Sequence, residues 1–286
     1  MQLAVFALLL PILLLAAPPT LAESGANDEM LYRAEAYRRL PRDAARRMFS
    51  IPAAPAQLPA QAIGAFGRGC VAGAVALEPQ GPGWQVSEAS LGRHFGHPKL
   101  VGWIQALAAG VQQDGLPALL IGDMAQPRGG PMLTGHASHQ LGLEADIWLS
   151  SVDLVRPDLL EVTADFTPAH VALLRRAARM PEVDRIFVNA AIKQSACRSV
   201  ANDTGERGWL RKLRPWPGHS YHFHVALECT DAACAARPPV APGDGCGKEL
   251  AHWFRADVRF PKRHPPEKIL RLKDLPNACR AVLATP

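Results

Sequence analysis

No Gly-x-Ser-x-Gly elbow occurs anywhere in this chain of 286 residues. A serine hydrolase built on Ser138 with His222 and Asp146 therefore has its residue types but lacks the sharp turn that presents the hydroxyl. No basic stretch alternates with aromatics in a binding motif, so the formal charge of +5 does not point to nucleic acid as a partner. No internal repeat is visible, which sets aside solenoids and propellers. The one long apolar run covers residues 3–17, interrupted by Pro11, and is short of the roughly 20 residues that a membrane helix needs. No charge precedes Glu23, so the run also lacks the positive leading segment usual in a secretion signal. Thr20 and Ala22 are nevertheless small residues suited to cleavage before Glu23. The expectation is a signal peptide over residues 1–22, export, and no stable membrane insertion once it is removed.

What is present is ordinary for a globular protein: 48% hydrophobic residues in a length that suits one large domain or two small ones. Residues 23–60 are rich in Arg, Ala and Pro and show little periodicity beyond a short helix near 34–48, which predicts a flexible lead or pro-region. The folded domain is expected over 61–286. His97–Gln113 carries apolar residues at Leu100, Val101, Ile104, Leu107 and Val111, the spacing of an amphipathic helix, and Gly115 ends it. Leu119–Ile121 reads as a buried strand and 126–131 as a loop. Thr167-Pro168 starts a helix running to Met180, Asp184–Asn189 reads as a strand, and Lys248–Ala256 as a helix. The Pro-rich patches at 238–242 and 261–266 read as surface connections. The economical architecture is one α+β domain: a central antiparallel sheet carrying the functional site, flanked by helices. An even number of cysteines (Cys70, Cys197, Cys229, Cys234, Cys246 and Cys279) behind an export signal implies disulfides in one of many connectivities. An oxidising compartment disfavours the rival reading, a thiolate zinc site.

Five of the ten histidines fall in two stretches, Gly135–Trp148 and Trp216–Val225. Clustered imidazoles with a carboxylate are the ligand types of a catalytic zinc, which keeps a fourth position for water. In His222-Phe223-His224-Val225-Ala226-Leu227 the alternation is that of a half-buried strand. His222 and His224 then share one face, with Phe223, Val225 and Leu227 in the core. Ala145–Leu149 also reads as a strand, with Asp146 and Trp148 on one face. Along a straight strand His139 and Asp146 would lie roughly 23 Å apart and on opposite faces. They can meet at one ion only if the chain reverses between them, and Gly142 is placed for that turn. The predicted ligands are His139, Asp146 and His224. His94, His97, His170, His252 and His264 are given no role. Trp216 and Tyr221 suit a cleft wall or core packing, and Arg128 a solvated loop or the orientation of a substrate carboxylate.

The motif Gly-His-Ala-Ser-His-Gln-x-Gly-Leu-x-x-Asp-Ile, followed far downstream by Trp-x-x-His-x-x-His-x-His-Val, resembles the penicillin-insensitive murein endopeptidases. These belong to the metallopeptidase group that includes lysostaphin, D-Ala-D-Ala peptidases and the hedgehog fold. The likeness runs from about Ala62 to Cys279 through Gly-Cys at 69–70, Phe-Gly-His-Pro at 95–98, Ile-Gly-Asp-Met at 121–124, Arg-Ile-Phe-Val-Asn at 185–189 and Gly-Asp-Gly-Cys at 243–246. The resemblance implies His139, Asp146 and His224 as zinc ligands, with His222 and His219 as catalytic or supporting histidines. It implies a second metal held by the residue matching His136 and by a later Asp-x-x-His. Here the nearest counterpart is Asp158-Leu-Leu-Glu161, with Glu in place of His, and Glu144 stands where the family usually has Asp. The implied disulfides are Cys70–Cys279, Cys197–Cys246 and Cys229–Cys234.

The implied activity is zinc-dependent hydrolysis of D-alanyl to meso-diaminopimelate cross-links of peptidoglycan in the periplasm. Water as nucleophile gives β-lactams no serine to acylate, hence the insensitivity to penicillin. The mild positive charge suits a partner rich in carboxylates and equally suits solubility. Alternatives on the same fold are a D-Ala-D-Ala carboxypeptidase or dipeptidase and a non-catalytic, zinc-containing murein-binding module.

Overall fold

Alternating apolar side chains in the segment around His222 produce the strand on which the rest of the sheet is laid. The computed structural model describes residues 32–87, 90, 92–156, 160–201, 207–259 and 269–286. The expected signal peptide, Asp158, His264 and the 261–266 connection lie outside the described residues. In chain order the elements used below are helix α1 (Ala45–Phe49), strands β1 (Gln61–Ala65), β2 (Arg68–Ala72), β3 (Gln80–Gly81) and β4 (Trp84–Val86), helix α2 (Pro98–Gln113), strands β5 (Leu119–Ile121) and β6 (Glu144–Trp148), helix α3 (Pro168–Arg179), strand β7 (Val183–Val188), helix α4 (Ala190–Ser199), strands β8 (Leu213–Pro215) and β9 (His222–Leu227), and helices α5 (Lys248–His252) and α6 (Ala278–Ala284).

Seven strands form one sheet in the order β8-β7-β9-β6-β5-β4-β3. The sheet is mixed rather than antiparallel throughout. Strands β7, β9, β6 and β5 pair antiparallel, whereas β7–β8 and β4–β5 are parallel. The reason is local: each parallel pair is joined by a crossover helix, α4 for the first and α2 for the second, and a helical crossover returns the chain in its original direction. Phe223, Val225 and Leu227 are fully buried on the core face of β9, as are Ala145 and Ile147 of β6. The predicted apolar stripe of α2, Leu100, Val101, Ile104, Leu107 and Val111, is buried as well. Helix α3 begins after Thr167 with Pro168 in its first turn.

The N-terminal expectation needs correction. Residues 32–39 are helical and α1 follows, with a break at Pro41, because proline has no N–H to donate and disfavours helical geometry in the residue before it. Residues 44–56 are not a loose lead but are packed on the domain. Ala45, Phe49 and Ala56 form a second apolar cluster with Ile63, Cys70, Leu275, Cys279 and Val282. Arg128 ties this cluster together: it is buried, and it donates to the carbonyls of Ala54 (3.1 Å), Val282 (2.9 Å) and Leu283 (2.7 Å). Neither role considered for Arg128 from the sequence applies. Residues 248–256 are also not one helix, since α5 stops at His252 and a separate turn follows.

Three disulfides, Cys70–Cys279, Cys197–Cys246 and Cys229–Cys234, brace the fold in the pairing that the family resemblance implies. Among the described residues no helix is long and apolar enough to cross a membrane.

Candidate metal centre

Between His139 and Asp146 the chain reverses through two residues in the left-handed region, His139 (φ 62°) and Gly142 (φ 66°). A β-carbon at position 142 would also sit 2.7 Å from the backbone nitrogen of His97, so the turn needs glycine for both its dihedral angle and its close approach. His139 has no such freedom. Its strained backbone is held by a 2.6 Å hydrogen bond from its own N–H to Oε2 of buried Glu144.

The reversal returns the chain as β6, where Asp146 lies directly opposite His224 of β9. Asp146 is the hub. Its Oδ1 lies 3.2 Å from His224 Nδ1, 3.5 Å from His139 Nε2 and 3.8 Å from His222 Nε2, and its Oδ2 lies 3.5 Å from His136 Nε2. One ligand atom each from His136, His139 and Asp146 lie within 4.8 Å of one another, a group that takes in the earlier histidine of the pair and not His224, which approaches it through Asp146 Oδ1. His139, Asp146 and His224 are buried. Both ring nitrogens of His139 and Oδ1 of Asp146 nonetheless have no hydrogen-bond partner among the described residues. Buried polar atoms are rarely left so. Nitrogen and carboxylate donors converging on one point fit a borderline-soft divalent cation.

Electrostatics agree for Asp146 and His139 but not for His224 and His136. Against the effect of burial, His224 is raised to about 9 by Glu144 and Asp146, and His136 is raised by Asp123 and Asp146. A cation would have to displace a proton from either ring. Burial pushes the Asp146 carboxyl up, but the imidazoles of His139 and His224 outweigh it and hold the group well below the usual carboxylate range. Burial together with neighbouring His136 pushes His139 down, keeping it neutral as a ligand must be. Burial also lowers His222, and lowers His219 to about 4.

A second layer of side chains orients the first. Glu144 Oε1 lies 3.0 Å from His224 Nε2, leaving Nδ1 to face Asp146. Arg237 donates to the same oxygen at 2.6 Å and stacks over Phe66 at 3.4 Å. His136 Nε2 lies 3.0 Å from Asp123 Oδ2, to which Arg93 donates at 2.8 Å. Sequence reasoning missed Glu144, Asp123, Arg93 and Arg237 as functional groups. For Glu144 a signal existed, because residues two apart on a strand share a face and Asp146 was already a candidate. The partners of the other three depend on contacts between distant segments.

His219 stands close by, its ring centroid 4.9 Å from that of His222 and 5.9 Å from that of His224. It too has positive φ, 40°, and its carbonyl accepts from the Asn189 N–H at 2.9 Å. Trp216 and Tyr221 are 54% and 38% exposed, so neither is core packing, and Trp216 lines a cavity. Glu161, the counterpart considered for a second metal, is exposed and paired with Arg156 at 2.8 Å. The remaining described histidines include an N-cap of α2 (His97) and a partner of the Thr167 N–H (His170).

A family model described as penicillin-insensitive murein endopeptidase matches residues 62–284. The chain belongs to the penicillin-insensitive murein endopeptidase family. It is similar to the penicillin-insensitive murein endopeptidase of Haemophilus influenzae, 43% identical over 250 residues that cover 79% of this chain and 84% of the relative. The proteins of that name from Klebsiella pneumoniae and Salmonella heidelberg are 43% and 42% identical, each covering 78% of this chain and 86% of the relative. The matched span of this murein endopeptidase family member contains all five clustered histidines and all six cysteines.

Proposed function

We propose that this protein is an exported zinc metalloendopeptidase that hydrolyses the D-alanyl to meso-diaminopimelate cross-links of peptidoglycan. The observation that carries the reading is the convergence of His139, Asp146 and His224, two of them with buried ligand atoms that no group among the described residues hydrogen-bonds, in a member of a peptidase family. These three residues would hold the ion, with His136 beside them. When bound, zinc supplies polarisation of the scissile carbonyl and a water acidified towards a pKa of about 7.

The chain's own residues do the rest. His222, two residues before His224 on the same strand face, accepts the proton of the attacking water on Nε2, the nitrogen directed at Asp146. The proton is then returned to the amine nitrogen released from the cleaved amide, by His222 or by neighbouring His219. Glu144 and Asp123 hold the rings of His224 and His136, as carboxylates behind ligating histidines do. Three disulfides support export to an oxidising compartment, which we read as the periplasm because that is where a murein substrate would be met.

Digestion of purified cross-linked muropeptides tests the activity: dimers should become monomers, and a chelator should stop the reaction. Release of free D-alanine instead would favour the carboxypeptidase alternative. Metal analysis of His139→Ala, Asp146→Ala and His224→Ala should show loss of zinc in each, and full zinc content in any of them removes that residue from the ligand set. Incubation with benzylpenicillin should leave the intact mass unchanged, since no serine is acylated; a stable covalent adduct would contradict the mechanism.

A further inference from the structure

We propose that the cavity walled by Trp216 and Trp253 is a subsite for an uncharged N-acetylated hexosamine of the murein glycan strand; this rests on the reading of the protein as a murein endopeptidase. The cavity measures about 310 Å³. Trp216 follows β8 and is 54% exposed. Trp253, which caps the C-terminus of α5, sets its ring 6.3 Å away at an interplanar angle of 56°. Aliphatic side chains of Val155, Leu160 and Val258 complete the apolar lining, and Asn189 and Ser220 add an amide and a hydroxyl.

Position ties the cavity to the catalytic side of the molecule. Pro217, Gly218 and Ser220 line it, so its wall is the turn that carries His219. Asn189 braces that turn through its N–H to the His219 carbonyl at 2.9 Å and its side-chain amide to the Gly218 carbonyl at 3.4 Å. A group seated here would lie beside the histidine cluster.

Chemistry selects the occupant. Murein offers peptide stems that carry carboxylates and an ammonium group, and a glycan strand whose N-acetylated hexosamines are uncharged. Among the described residues none that lines the cavity is charged, so a stem carboxylate or ammonium placed in it would be desolvated without a charged partner. An alanine methyl is uncharged but far too small to fill the space. A hexosamine matches it in size, presents a C–H face to an indole, and carries an acetamide able to bond the Asn189 amide. Indole supplies a large rigid apolar surface with a single polar N–H.

Two readouts on the whole mature protein test this. In the first, tetra-N-acetylchitotetraose, which carries no peptide, is titrated by ligand-observed NMR. Saturable binding is expected in the wild type, weakened about tenfold or more in Trp253→Ala and in Ala190→Phe, which adds a ring at a residue that lines the cavity while keeping both indoles. No binding by the wild type, or equal binding by all three proteins, overturns the proposal. In the second, kcat/KM is compared on cross-linked muropeptide dimers with and without their sugars. The wild type should favour the sugar-bearing dimer by about tenfold, and both variants should bring that ratio towards one. A wild-type ratio near one, or a ratio unmoved in the folded variants, also overturns it. If neither dimer is cleaved, the endopeptidase reading fails, and the NMR titration still decides whether the sugar subsite exists.

Discussion

At the scale of single residues, Glu144 lies outside the proposed ligand set and yet contacts two members of it. Its carboxylate accepts the His139 N–H through one oxygen and faces His224 Nε2 with the other. Burial would raise its pKa, but His224 and Arg237 bring it to about 2, so it stays anionic. Glu144→Gln keeps the volume and loses the charge. Zinc affinity should then fall about 10- to 100-fold, read by competition with a chromogenic chelator, while Glu144→Asp should retain part of it. Unchanged affinity in Glu144→Gln would remove the orienting role. Gly142→Ala meets a positive φ and a backbone nitrogen 2.7 Å from the new carbon. It should lower unfolding free energy by more than about 1 kcal/mol, measured by urea denaturation. The glycine was legible in the sequence because a ligand pair seven residues apart demands a turn. That Glu144 meets a histidine 80 residues away was not, because the pairing of β6 with β9 is set by the sheet and not by local spacing.

At the scale of elements, strongly periodic segments were readable and short or small-residue ones were not. Strand β9 and helix α2 follow the expected spans to within a residue, since each buries one face and therefore alternates or repeats at its own period. Helix α4 begins at Ala190, behind an Asn189 whose side chain caps it by accepting the Ala191 N–H at 3.0 Å. Sequence reading instead placed Asn189 at the end of the preceding strand. The alanine-rich start of α4 carries little hydrophobic contrast, so its periodicity is faint. Strand β8, three residues long, exists because it finds β7 as a neighbour. Helix α6 is held at its C-terminal end by Arg128, whose guanidinium takes the Val282 and Leu283 carbonyls together with that of Ala54. Arg128→Ala leaves buried acceptors unpaired and should cost about 2–4 kcal/mol in a urea titration. Arg128→Lys should recover only part, because a single ammonium lacks the planar fork that reaches three carbonyls.

For the whole molecule, buried Lys193 gives stability a pH dependence of defined sign. Its Nζ is enclosed and donates to the carbonyls of Leu210 (2.5 Å) and Asp244 (2.6 Å). Burial, with Arg214 and Arg207 nearby, pushes its pKa down to about 7 against the pull of Asp244. Between pH 7 and the ordinary lysine value of 10.5 the unfolded chain holds a proton that the folded chain has released, so this group makes stability rise with pH across that window. Below about pH 7 both states are protonated and the cost of the buried charge is fully present. Relative to Lys193→Met, the wild type should therefore gain stability from pH 7 to pH 9, seen as a growing gap between urea midpoints; a constant gap would contradict it. By itself the sequence determined the residue types of the histidine–carboxylate cluster, the turn at Gly142 and the family, because ligand chemistry and strand periodicity are local properties. Only the tertiary structure decided that the sheet is mixed, that residues 44–56 pack on the domain, and that Glu144, Asp123 and Arg237 stand behind the proposed ligands. Each of those depends on segments far apart in the chain coming into contact, and hydrophobic periodicity does not say which ones meet.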